Sequence, residues 1–94
     1  MTTWTYPQLT EATTKYLEFV VQTRDDLLLL VSTPEGRMPV HVANINAAKG
    51  AFDLWKSLTN IYAMTHPERY EDEKRLRGMI KAMQQLAESE NPEE

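Results

Sequence analysis

The chain contains no cysteine. That removes a disulfide framework, a thiolate nucleophile and Cys-ligated zinc in one step, and makes a cytoplasmic setting the expectation. Long apolar runs are missing too. The longest is Leu27-Leu28-Leu29-Leu30-Val31, far short of the roughly 18 residues a membrane helix needs. Met1-Thr2-Thr3-Trp4-Thr5 lacks the basic start and apolar core of a signal peptide. The three glycines, Gly36, Gly50 and Gly78, are scattered, so there is no Gly-rich phosphate loop. No His-Glu-x-x-His motif, Gly-x-Ser-x-Gly elbow or metal-ligand spacing occurs, and the two histidines, His41 and His66, stand far apart. The chain is therefore expected to be no enzyme, and to carry neither a metal nor a cofactor.

Basic excess is lacking as well. Over 94 residues the net charge is −4, and Glu88, Glu90, Glu93 and Glu94 account for all of it. A neutral body does not provide the basic footprint that phosphate neutralisation requires, so nucleic acid is not an expected partner. Arg69, Lys74, Arg75, Arg77 and Lys81 interleave with Glu68, Glu71, Asp72 and Glu73, a pattern suited to salt bridges. Residues 1–87 read as one helical domain, and 88–94 as an acidic, solvated and disordered tail.

What is present is helical periodicity. Leu9, Ala12, Tyr16, Val20, Thr23, Leu27 and Leu30 recur at steps of three and four, which predicts a helix over about 5–32 with that stripe buried. Thr5-Tyr6-Pro7-Gln8 has the form of a capping box with Pro in the first turn. Thr33-Pro34-Glu35-Gly36 reads as the stop. Ile45, Ala48, Phe52, Trp55, Thr59 and Tyr62, widened by Ala51 and Leu58, predict a second helix over about 39–64. Ala43, Ala47, Gly50 and Ala51 on it are small enough to let another helix approach closely. Thr65-His66-Pro67-Glu68 reads as another capping box, opening a third helix over about 66–88 through Leu76, Met79, Ile80, Met83, Leu86 and Ala87. The expected fold is all-α, a three-helix antiparallel bundle. A β-hairpin over 27–42 is the alternative, against which stand the helix preference of Leu and the presence of Pro39. Tyr16, Phe19, Phe52, Trp55 and Tyr62 are expected in the core.

The candidate binding residues lie at the helix ends. Trp4 and Tyr6 precede or open the first helix, and such aromatics anchor many protein interfaces. Four consecutive leucines cannot share one helix face, so Leu28 and Leu29 call for a second apolar surface. A homodimer or higher oligomer through residues 27–30 would supply it. Arg37 and His41 flank Met38 in the connection and are able to hold an anion or carboxylate. His66 and Arg69 sit at the start of the third helix. These features predict a non-catalytic protein that binds another protein. In size, acidity and absence of motifs the chain is similar to the small accessory proteins with which phages inhibit host factors, including host defences, a similarity of type that rests on no motif. An oligomer that sequesters a small anionic ligand such as a nucleotide is the alternative.

Overall fold

A computed structural model describes residues 4–90, and these form three helices with no strand among them: α1 (Tyr6–Leu28), α2 (Pro34–Thr59) and α3 (Glu68–Ser89), with a short 3-10 turn, Asn60–Tyr62, after α2. The three-helix bundle expected from the periodicity is the fold.

Local chemistry sets the helix starts. Thr5 caps α1: its hydroxyl accepts from the Gln8 backbone N–H, while the Gln8 side chain accepts from the Thr5 N–H. Thr33 has an extended backbone, as the residue before a proline prefers, and its hydroxyl accepts from the Gly36 N–H at 3.2 Å. Thr33-Pro34-Glu35-Gly36 therefore opens α2 rather than merely closing α1. The expected boundary moves with it: α1 ends at Leu28, and Pro39 lies in the second turn of α2 rather than at its start. The hairpin over 27–42 is excluded by the same cap, because Gly36, its turn, is already helical. At α3 the expected cap does not form. Thr65 Oγ1 pairs with His66 Nδ1 instead, and the helix begins two residues later than read, after Pro67. Its other end is longer than expected: α3 continues through Glu88 to Ser89 and Glu90 is held by ion pairs, so only 91–94 of the expected tail remain, outside the described residues.

α2 is the middle helix, packed against both α1 and α3, which touch each other less. Trp55, Leu17, Leu76 and Ala48 form the sealed centre, with Phe52, Ile80 and Met83 around them. Phe52 and Trp55 stack at 6.1 Å. The bundle is not round. Its extents are 47 × 29 × 15 Å and its radius of gyration is 15.4 Å, against about 13 Å for a closed domain of roughly this length. A flattened bundle buries one side of each helix and leaves more of the others in water.

Candidate docking groove

The inward face of α1 is not the apolar stripe that the periodicity picks out. The residues it buries are Tyr6, Thr10, Leu17, Val20, Arg24 and Leu28. Of the expected stripe only Val20 is among them, and Tyr16 and Phe19, expected in the core, are exposed. At about 100° per residue, a displacement of one position turns the helix by that angle. The reason is polar. The Trp55 indole N–H, sealed in the core, donates to Thr10 Oγ1 at 3.0 Å, and the Tyr6 hydroxyl donates to Asp72 at 2.6 Å. Both groups need partners when buried, and they rotate α1 so that Thr10 and Tyr6 face inward. Arg24 follows on the same face, its guanidinium held by Asp25.

The first half of the displaced stripe lines a groove. Trp4, Leu9, Ala12 and Tyr16 form one wall, and Leu54, Leu58 and Ile61 the other, over a floor of Ala47, Gly50 and Ala51. Its volume is about 840 Å³. No charged side chain lines it, and Thr13 and Asn46 are the polar residues besides the two tyrosines, Tyr16 and Tyr62. Trp4 is 53% exposed, Leu54 59% and Ile61 77%. Large apolar side chains therefore stand open beside one another along the two walls.

Among the other expected binding residues, most are spent on the fold. Tyr6 is buried, which corrects its reading as an exposed anchor. Burial, and then the hydrogen bond to Asp72, push its hydroxyl up to about 12. His66 lies 4.8 Å from the Tyr6 ring and edge-on to Tyr62. Arg69 sits 5.3 Å over Trp55 and donates to Thr59 Oγ1 and to the Lys56 carbonyl, closing the end of α2. Leu28 is buried within the bundle, so it does not require a second subunit, whereas Leu29 is exposed and Met38 half-buried.

Arg37 and His41 do hold a carboxylate, but it is the chain's own. Glu90 accepts two hydrogen bonds from Arg37, at 3.0 and 3.1 Å, and lies 3.0 Å from His41 Nε2. Arg37 also donates to the Leu28 and Val31 carbonyls, so the latch ties the end of α1, the start of α2 and the end of α3 together. The Arg37 and His41 hydrogen bonds draw the Glu90 carboxyl down to about 2. His41 is buried here, which corrects its reading as a surface group.

Of the nine residues expected to bind a partner, Trp4 is the one that lines the groove. Leu54 and Ile61 escaped the sequence reading, although Leu54, Leu58 and Ile61 follow the i, i+4, i+7 pattern of a second stripe beside the core one. Among the described residues no group of three or more His, Asp or Glu side chains is placed to hold a metal, and no helix is long and apolar enough to cross a membrane. Comparison of the chain with protein-family models, with curated proteins and with solved structures returns no match.

Proposed function

We propose that the chain is a small, acidic, non-catalytic cytoplasmic protein that acts by protein–protein binding, with the groove between α1 and α2 as its working face. One observation carries this reading: the first half of the apolar stripe of α1, Leu9, Ala12 and Tyr16, lines the groove and not the core. Side chains that the fold itself leaves in water, at a place where two helices already supply both walls, fit the helix-in-groove mode of recognition. Inhibition of a host protein by a phage-type accessory protein would then consist of covering a surface, which needs no chemistry. The nucleotide-sequestering alternative has less support. The groove is lined by no charge, and the Arg37–His41 pair already binds Glu90.

Photo-crosslinking tests the reading. A benzophenone amino acid at position 54, in the groove, is expected to form a polypeptide adduct, whereas the same group at the exposed position 81 on α3 forms none. Equal yields from the two positions, or none from position 54, would refute it.

A further inference from the structure

We propose that the groove is occupied by a second copy of this chain, with α2 antiparallel to α2 of the partner across a two-fold axis near residues 52 and 53. This rests on the groove being a docking face, and it assigns that face to self-association, so that a host protein would have to displace the second copy or meet the dimer on another surface.

The order of residues along α2 is the first argument. The groove-facing side chains are small in the first half (Ala47, Gly50, Ala51) and large in the second (Leu54, Leu58, Ile61 just beyond). A two-fold dimer sets one surface against itself, so that surface must be self-complementary. An antiparallel pairing centred between residues 52 and 53 places Leu54 over the partner's Ala51 and Leu58 over the partner's Ala47, so that these two large side chains each meet a small one. A parallel pairing would place large upon large and small upon small. Area is the second argument. Trp4 (53% exposed), Tyr16 (44%), Leu54 (59%), Leu58 (47%) and Ile61 (77%) are all partly open. Taking about 150–250 Å² for a whole side chain of this size, these five present roughly 420–700 Å². With the groove floor the total approaches the ~800 Å² per partner of a standard interface. Third, no charged residue lines the groove, so pairing there removes no charge of the groove from water. Gly50 agrees with this. A Cβ there would meet nothing within 4 Å inside the chain, so the fold does not need the glycine, whereas a helix lying in the groove gains from the absence of a side chain.

The absence of native cysteine makes the test direct. Ala47→Cys and Leu58→Cys proteins are mixed under mild oxidation and each is also oxidised alone. The two positions lie about 16 Å apart along one helix, beyond the roughly 7 Å limit for a disulfide within a chain. The expected result is a covalent dimer from the mixture and little from either protein alone. Cross-linking of each protein with itself and not in the mixture would overturn the antiparallel pairing. In sedimentation equilibrium the native chain is expected to weigh twice 10.9 kDa, and Leu58→Asp or Gly50→Leu to raise the dimer dissociation constant at least about 100-fold while keeping the helical circular dichroism. Gly50→Leu serves as the independent check should Leu58→Asp fail to fold. A monomer at 100 µM overturns the second copy. If the benzophenone at position 54 then yields an adduct whose mass is not that of two copies, the groove remains a docking face for a different protein. A monomer with no adduct removes the proposed function as well.

Discussion

A buried hydrogen bond helps set the orientation of α1, and Thr10→Val removes it with almost no change of shape. Trp55 is 1% exposed and its N–H donates to Thr10 Oγ1 at 3.0 Å. With valine at position 10 the indole N–H is buried without an acceptor, which costs about 1–3 kcal/mol. A methyl group in place of the hydroxyl returns part of that, so the net loss is about 1–2 kcal/mol. For a domain of this size each kcal/mol moves the melting temperature by about 4–8 °C. Urea melts followed by circular dichroism, at one fixed protein concentration so that assembly does not vary, provide the assay. The control is Trp55→Phe, which removes the donor. In that background Thr10→Val is expected to cost nothing, and the double-mutant cycle isolates the pair. A Thr10→Val protein as stable as the parent would refute the argument that polar satisfaction, added to the burial of Leu17, Val20 and Leu28, selects the inward face of α1.

Three further predictions concern the fold. Glu90→Gln, which leaves Arg37 and the buried His41 facing a neutral amide, is expected to lower stability by about 1–2 kcal/mol in urea melts. In the native chain the Glu90 carboxyl titrates near 2, below its ordinary 4.5. Its stabilisation is therefore full above pH 4.5 and lost as the pH falls toward 2, and the Gln variant should lack that part of the acid transition. Tyr6 behaves in the opposite sense. Its hydroxyl is raised from 10 to about 12, so its stabilisation is full below pH 10 and lost as the pH rises toward 12, a loss that Tyr6→Phe should remove from alkaline melts. The glycines separate by surroundings. A Cβ at Gly50 or Gly78 meets nothing within 4 Å, whereas at Gly36 it meets Val31 Cγ1 at 2.7 Å. Alanine at 50 or 78 should raise stability of the isolated chain by up to about 1 kcal/mol, and alanine at 36 should lower it. Thermal melts of the three variants, with Gly50→Ala measured at a dilution where the chain is monomeric, decide this.

Periodicity served α2 and α3 well because their core stripes are apolar throughout the centre: Ala48, Phe52 and Trp55 on one, Leu76, Ile80 and Met83 on the other. The Leu27–Leu30 run and Pro34 were harder to place. A Thr-Pro step caps a helix start as readily as it ends the preceding one, and the chain does both with the same residues. Glu90 was illegible for a different reason. Its partners lie 49 and 53 positions earlier in the chain, and no local pattern announces a contact of that span.

α1 is the instructive case. Its apolar stripe is real, and hydropathy counts it correctly, but periodicity reports that a face seeks a neighbour without saying which one. Within the chain α1 meets the Trp55 side of α2, where the indole N–H takes Thr10 as its acceptor, and α3, where Asp72 accepts from the Tyr6 hydroxyl. Thr10 and Arg24 consequently turn inward, and Leu9, Ala12 and Tyr16 turn toward the groove. Local and global preferences usually agree in a natural sequence. Where they part, the conflict is resolved if the stripe has a second neighbour outside the fold: the face of Thr10, Leu17, Val20 and Leu28 then serves the monomer, and Leu9, Ala12 and Tyr16 serve the proposed docking face.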